Sequence, residues 1–237
     1  MIRLLAACAL VLIAGPSAAQ DVTLSLGGDG SLSSTALGLL ALLTVLSVVP
    51  GLAIMVTCFP MIVTVLSILR QAIGLQQAPP NMLIVSLALF LSYFVMEPVF
   101  QAAWTDGVEP YLAGRTQITE AIAPTYAPFR SFMAARVDGE VLARMSVLRG
   151  ETGGAEAVTP GVLIPSFLLS EIQRAFQIGF LVFLPFMIID LIVAAVLMSM
   201  GMMMVPPAIV SLPFKLAFFV IADGWSLISE ALVKGYL

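Results

Sequence analysis

Residues 163–225 read LIPSFLLSEIQRAFQIGFLVFLPFMIIDLIVAAVLMSMGMMMVPPAIVSLPFKLAFFVIADGW, and this stretch decides the fold. From 179 to 222 its only charged residues are Asp190 and Lys215, and the run is longer than a single membrane-spanning helix requires. The Pro206-Pro207 pair cannot continue a helix, because proline lacks the amide hydrogen and restricts the residue before it. The stretch therefore predicts two apolar helices with a break at residues 202–207.

Two further apolar runs precede this stretch. Residues 36–69 contain no charged residue, and Pro50 and Pro60 within them predict a kinked helix or a helix preceded by a short one. Residues 82–104 form the second run, in which Glu97-Pro98 is interpreted as a helix end. We assign residues 36–104 to a first helical hairpin and residues 162–237 to a second.

The region between the hairpins, residues 105–161, differs in composition because it holds half of the charged residues of the chain. Such a region is expected to face water. It is predicted to be helical around residues 127–148, with a glycine-rich break at 150–154. A chain whose amino terminus is exported would place this region in the periplasm.

The first residues are typical of a secretory signal peptide. Arg3 precedes a short apolar stretch, and small residues at Ser17 and Ala19 predict cleavage between Ala19 and Gln20. The apolar stretch is too short to span about 30 Å of hydrocarbon as an anchor helix. Residues 1–19 are therefore interpreted as a cleaved signal peptide and residues 20–35, rich in glycine, serine and aspartate, as a flexible lead-in.

Composition excludes several classes of function. The chain is 60% hydrophobic and 10% charged, whereas soluble domains carry about 25% charged residues. Its formal charge of -4 argues against a nucleic-acid partner, which requires a basic surface. The sequence has no histidine, the commonest metal ligand and the usual general base near neutral pH. No enzymatic activity, cofactor or metal site is therefore expected.

Several motifs together resemble the FliP family of flagellar biosynthesis proteins, which has relatives in virulence injectisomes. They occur in the order of the family, and together they are far more specific than any one alone. The sequence departs from the family pattern at Met61, where the family usually has arginine, and at Ser166, where alanine is usual. The motifs are LRQAIGLQQAPPN (69–81), LALFLSYFVMEPVF (87–100), APFRSFM (127–133), SEIQRAFQIGF (170–180), MGMMMVPP (200–207), LPFKL (212–216) and DGW (223–225).

The resemblance implies an all-α protein, with membrane-associated helical hairpins and a periplasmic helical insert, that assembles into a ring. It implies a pentamer joined by FliQ-like and FliR-like subunits, FlhA/FlhB-like export components and the basal-body ring. Unfolded export substrates would pass through this gate. The implied location is the bacterial inner membrane and its periplasmic side within the flagellar basal body, with the hairpins largely at periplasmic level.

Five of the thirteen methionines lie within seven residues around the predicted break. Methionine is unbranched and polarizable, so it adapts to irregular or changing contacts. One interpretation is ordinary core packing at a helix end. The other, which the resemblance favours, is a soft apolar gasket formed where several copies meet at a common axis. These residues are Met198, Met200, Met202, Met203 and Met204, of which the last three are the main candidates.

Four charged residues lie within apolar sequence, where unpaired charges are costly. Glu171 and Arg174 are spaced i,i+3 and could pair on one helix. Lys215 has no acid nearby in the sequence, and we expect it to meet Glu171 or Asp190 from another helix or subunit. These four residues are candidates for subunit contacts or buried charges.

Three alternatives to a flagellar export gate remain open. A virulence injectisome gate is the nearest, although the signal peptide and the Val205-Pro206-Pro207 sequence favour the flagellar family. An ion or solute transporter would need polar residues along a pathway, and the few charges do not form such a relay. A structural scaffold without a pore is the third.

Overall fold

A computed structural model describes residues 32–75, 78–202 and 204–236. The predicted signal peptide, the predicted cleavage site at Ala19 and Gln20, most of the predicted lead-in and Met203 lie outside the described residues. The described residues form helices and connecting turns without a strand, so the all-α prediction is confirmed. The described residues belong to two units, divided between Ser47 and Val48.

Helix α1 runs from Leu32 to Met55 and consists almost entirely of apolar and small residues. In the first unit its leucines are exposed, namely Leu37, Leu39, Leu40, Leu42, Leu43 and Leu46. Helix α2, Phe59–Ile73, follows after a short break and has Pro60 in its first turn, where the missing amide hydrogen costs no helical bond. The apolar run therefore forms two helices, and the first is the longer, with 24 residues against 15, so the expected short preceding helix is wrong.

Helix α3 runs from Asn81 to Ala103, continues as a π-helical turn, Trp104–Val108, and ends with the short helix α4, Glu109–Leu112. The predicted helix end at Glu97-Pro98 is wrong, since Pro98 lies inside α3. Proline removes one helical hydrogen bond, whereas ending the helix would leave four carbonyl groups without helical partners.

Two helices instead of one cover residues 118–149 of the polar region. Helix α5 spans Ile118–Arg136 and helix α6 spans Gly139–Arg149. The predicted single helix over 127–148 is interrupted because Asp138 caps α6: its carboxylate accepts hydrogen bonds from the backbone N–H groups of Glu140 at 3.0 Å and Val141 at 3.1 Å.

Helix α7, Pro160–Ser199, is the longest element, with 40 residues. At 1.5 Å per residue it extends about 60 Å, roughly twice the thickness of the hydrocarbon layer. Helix α8, Pro207–Ile221, returns along α7, and helix α9, Gly224–Lys234, is bent from it by 61°. By length and composition α3–α4 and α7 could each cross a membrane, and the bent pair α8–α9 could form a third span.

The core of the second unit lies where α2 packs against α7, α3 and α8. The buried face of α2 includes Ile62, Val65, Leu66 and Leu69. Gly179 of α7 lies so close to α2 that a Cβ atom there would lie 2.4 Å from Ile68 Cδ1. Helix α2, which lies in the first predicted hairpin, thus also packs against the helices of the second. The boundaries of the two hairpins stay a prediction.

Candidate functional site

Met198, Met200, Met202 and Met204 lie at the turn between α7 and α8, and we call the stretch 198–204 the methionine turn. Helix α7 ends in a Schellman motif, in which Gly201 N–H bonds Met198 O at 3.0 Å and Met202 N–H bonds Leu197 O at 3.0 Å. Gly201 has a φ of 76°, a conformation that glycine adopts without steric cost. Backbone hydrogen bonds therefore hold the first part of the turn, up to Met202.

The described methionine side chains of this turn are exposed although they are apolar. Exposed fractions are 61% for Met198, 66% for Met200, 41% for Met202 and 97% for Met204. An apolar groove of about 530 Å³ runs beside the turn. It is lined by Met200 and Met202 of the turn and by residues of both helices, among them Val196, Val210 and Phe214. A single copy of the chain therefore presents thioether and hydrocarbon groups at this end of the α7–α8 hairpin.

Lys215 of α8 and Asp190 of α7 form a direct ion pair, with Nζ 2.6 Å from Oδ2. Lys215 is buried, and its ammonium group also donates to the carbonyl oxygen of Ala72 in α2 at 3.1 Å. Ser211, on the same face of α8, donates to Asp190 Oδ1 at 2.6 Å. Lys215 therefore connects α8 with two other helices, and its acid is Asp190 of the same chain.

Glu171 of α7 is completely buried and has two partners, one on its own helix and one at the carboxyl-terminal end of the chain. Arg174 Nη1 lies 3.4 Å from Glu171 Oε1, one turn further along the helix. The hydroxyl group of Tyr236 donates to Glu171 Oε2. Burial is the main cause that raises the pKa of Tyr236, so the phenol keeps its proton and remains a donor.

Arg136, at the end of α5, completes this second cluster. Its guanidinium carbon lies 3.8 Å from the centroid of the Tyr236 ring, a cation–π contact, and its Nη2 donates to the carbonyl oxygen of Gly235. The carboxyl-terminal residues are thereby held against α5 and α7. Sequence reasoning missed Arg136, Tyr236 and Ser211, because their partners lie 21 or more positions away in the chain.

The two clusters are separate, since Lys215 pairs with Asp190 and Glu171 pairs with Arg174. Cys58, at the start of α2, lies in the core, and burial raises the pKa of its thiol to about 11. Within residues 32–75, 78–202 and 204–236, no three side chains of histidine, cysteine, aspartate or glutamate come together as a metal site.

These helices, with paired charges inside apolar segments, define an all-helical protein suited to a membrane. The chain belongs to the FliP family, since the model of that family matches residues 42–232. The resemblance inferred from the sequence motifs is therefore confirmed.

Full-length relatives support this membership. The chain is 46% identical to the flagellar biosynthetic protein FliP of Caulobacter vibrioides, over all of this chain and 90% of the relative. It is 45% identical to the protein of the same name from Agrobacterium fabrum, with both chains covered completely. The protein of that name from Bacillus subtilis is 41% identical, over 86% of this chain and 93% of its own length.

Proposed function

We propose that this chain is a core subunit of the flagellar type III protein export gate, in which several copies form a pore for unfolded flagellar proteins. Family membership and the shared name of the relatives, flagellar biosynthetic protein, support the flagellar role over an injectisome role. In this proposal the chain forms a pentamer in the inner membrane and on its periplasmic side. FliQ-like, FliR-like and FlhA/FlhB-like subunits and the basal-body ring surround it.

The exposed methionine turn is the observation on which the proposed pore depends. Apolar side chains at the tip of a hairpin lose contact with water only if another surface covers them. Copies related by rotation would bring their turns to a common axis, where each turn covers its neighbours. The fixed backbone and the exposed Met200 and Met204 side chains suit this arrangement.

A ring of thioether groups would close the pore against ions and still let a polypeptide pass. A narrow apolar constriction excludes water, and hydrated ions do not enter a dewetted passage. Methionine has three rotatable side-chain bonds and a polarizable sulfur, so its side chains can rearrange around a passing chain. No bond is made or broken in this function, and energy for transport would come from partner subunits.

The ion pair of Lys215 and Asp190 would hold the hairpin in position while the methionine side chains move. Asp190 precedes Met200 by ten residues, which corresponds to about 15 Å along α7. At that level α7, α8 and α2 are joined through Lys215. The proposed device therefore combines a fixed base with a deformable tip.

Replacing Met202, Met203 and Met204 together with alanine tests the gasket. We expect increased ion leakage through the assembled gate. Alanine side chains are shorter than those of methionine, so they would leave an opening at the axis that water and ions can enter. Ion permeability of cells carrying the complete export apparatus measures the effect. The matched control is Met82→Ala, since Met82 is 80% exposed but lies at the start of α3.

Assembly of the gate, measured by the mass of the purified complex, should be the same for the triple variant and the control. Unchanged permeability in a correctly assembled triple variant would remove the gasket proposal. A triple variant that assembles and stays ion-tight would instead favour the structural scaffold.

A further inference from the structure

Helix α9 leaves α8 at a sharp backbone bend of 61°. Asp223, between the two helices, has a φ of 48°, and among the described residues it is the only one other than glycine with a positive φ. Aspartate tolerates this left-handed conformation, which most other side chains avoid. Gly224 follows, and a Cβ atom there would lie 2.1 Å from Phe219 Cε2. Two residues with unusual backbone requirements therefore set the direction in which α9 leaves.

Most of α9 has little contact with the core. Of its eleven residues only Gly224 and Leu232 are buried, and Leu232 packs into the core cluster to which α2 and α3 contribute. Trp225 and Leu227 are exposed. A segment with few buried apolar contacts opens at a lower free energy than the core of the same protein. Helix α9 is therefore expected to open before the core does.

Tyr236, which follows α9, holds the free end of this helix. Its ring stacks on that of Phe132 in α5, with the centroids 6.2 Å apart and the planes inclined by 16°, and also contacts the guanidinium group of Arg136. Its hydroxyl group donates to Glu171 of α7. We call the contacts of Tyr236 with Phe132, Arg136 and Glu171 the latch. The latch joins the carboxyl-terminal segment to two helices that α9 itself does not follow in sequence.

The latch can open without leaving a buried charge unpaired. Glu171 would lose the phenol but keep Arg174, whose Nη1 lies 3.4 Å from Oε1 and whose side chain is 40% exposed. Arg136 is partly exposed, so water can replace its contacts with Tyr236 and with the carbonyl oxygen of Gly235. In the closed latch the Nε atom of Arg136 is buried and has no partner among the described residues. Opening thus avoids the large penalty of an isolated buried charge.

We propose that residues 223–236 form a hinged arm that opens and closes while the rest of the second unit stays folded. Asp223 and Gly224 are the hinge, α9 is the arm and Tyr236 closes the latch. The structure shows the closed state, in which Glu171 is completely buried. In the open state water reaches Glu171 and Arg136, so the arm covers and uncovers a charged site beside the apolar α7. This inference rests on the fold and is independent of the proposed pore.

Thiol labelling of the full chain in mild detergent tests the proposal. Leu232→Cys on the arm is compared with Leu66→Cys on α2, since both leucines are buried in the same core cluster. A water-soluble maleimide should label position 232 at least about tenfold faster than position 66, because the arm opens at a lower free energy than the whole unit. Peptide mass spectrometry assigns the labelled position and separates it from the buried Cys58.

Two further substitutions separate opening of the arm from unfolding of the whole unit. Tyr236→Phe removes a hydrogen bond to a carboxylate and should speed labelling at position 232 roughly ten- to hundredfold. Asp190→Asn breaks an ion pair that stays intact when the arm opens, so it should speed labelling at position 66 and leave position 232 unchanged. Tyr111→Phe, at an exposed tyrosine, should change neither rate.

Three results of this labelling would overturn the proposal. The first is equal labelling of positions 232 and 66 in the otherwise unchanged chain. The second is an equal increase at both positions in Asp190→Asn, since the arm would then open only together with the whole unit. The third is labelling at position 232 that Tyr236→Phe leaves unchanged, since the latch would then not hold the arm.

A cross-link tests where the arm closes. Arg136→Cys/Gly235→Cys places two thiols at a contact of the closed latch, and a short bis-maleimide should join them within one chain. Copies that carry the two changes separately are mixed as the control and should give no linked pair. Linkage only between such copies would show that the arm closes on a second chain, and it would overturn the proposed hinge.

Discussion

Two parts of the α7–α8 hairpin, the level of Asp190 and the methionine turn, differ in polarity and in exposure. At one level, Asp190, Lys215 and Ser211 form a polar cluster whose members find partners within the chain, with contacts of 2.6 Å. About 15 Å further along α7, the methionine turn is apolar, exposed and flexible in its side chains. The same hairpin thus carries a fixed segment and, further along, a deformable segment.

This difference indicates how a seal can deform without losing its position. Ion pairs and hydrogen bonds impose distance and direction, whereas methionine side chains contact their neighbours in many rotamers. A hairpin made only of apolar residues could slide or rotate, since hydrocarbon contacts have little directionality. The predictions below test whether the charged segment fixes the fold and whether the turn can change without affecting it.

The largest effect is expected for Asp190→Asn, which leaves the buried ammonium group of Lys215 without its acid. Breaking a buried ion pair from one side costs about 3–5 kcal/mol. We expect the lower end of that range, because 36% of the Asp190 side chain is exposed. The free energy of unfolding in detergent gives the value. Lys215→Met should cost less, since Asp190 keeps solvent and Ser211 as partners.

The double variant Asp190→Asn/Lys215→Met should recover much of the loss, because no buried charge remains unpaired. Lys234→Met is the control, as its pair with Glu230 is exposed and should be worth less than about 1 kcal/mol. Additive effects of the two single changes would contradict a coupled pair. Lys215→Glu with Asp190→Lys then shows whether a reversed pair restores assembly of the gate.

A smaller loss is expected for Tyr236→Phe, which removes the phenol that donates to Glu171. Hydrogen bonds to charged groups contribute about 1.5–3 kcal/mol. The ring itself remains and keeps its contact with Arg136, so only the hydroxyl is tested. The melting temperature of the purified protein measures the loss. Tyr111→Phe, at an exposed tyrosine, should leave it unchanged.

The same residue predicts a pH dependence. The pKa of Tyr236 is raised above its ordinary value of 10.0 in the folded protein, chiefly by burial. Above pH 10 the unfolded chain releases this proton while the folded chain retains it, so the free energy of unfolding falls as pH rises. Tyr236→Phe should have a shallower decline above pH 10. An identical decline in both proteins would show that Tyr236 is not held as a buried phenol.

The helices were largely predictable from the sequence because lipid-compatible helices must be long, apolar and nearly free of charge. This rule locates the helices around 36–69, 82–104 and 163–222. It fails at Pro98, since one lost hydrogen bond does not end a helix that packs along its whole length. It also fails to separate α5 from α6, because the cap at Asp138 acts within a polar segment.

The candidate site was predictable only where its partners are close in sequence. The i,i+3 spacing of Glu171 and Arg174 is visible in the sequence, and the structure brings the two together. For Lys215 the sequence left Glu171 and Asp190 open, and only the packing of α8 on α7 distinguishes them. Tyr236 and Arg136 carried no sequence signal, because their contacts arise from the return of the carboxyl-terminal residues to the core.

The smallest effect is expected for Gly179→Ala. Gly179 lies where α7 crosses α2, about three turns before Asp190 along α7. The new Cβ atom would lie 2.4 Å from Ile68 Cδ1, so the two helices must separate or the isoleucine must change its rotamer. Overpacking costs about 1–3 kcal/mol, and the better helix propensity of alanine offsets about 1 kcal/mol of this. A net loss of about 1 kcal/mol in the free energy of unfolding is expected.

Two further variants separate crowding from propensity. Gly139→Ala, with no neighbouring atom within 4 Å, should not destabilise the protein. Gly179→Ala/Ile68→Val removes the clashing Cδ1 atom and should lose less than the sum of its single changes. If Gly179→Ala stabilises the protein as much as Gly139→Ala does, α2 does not hold α7 closely. Lys215 and its partners alone would then hold α7, α8 and α2 together. The difference between this level and the methionine turn would arise from charge and not from helix packing.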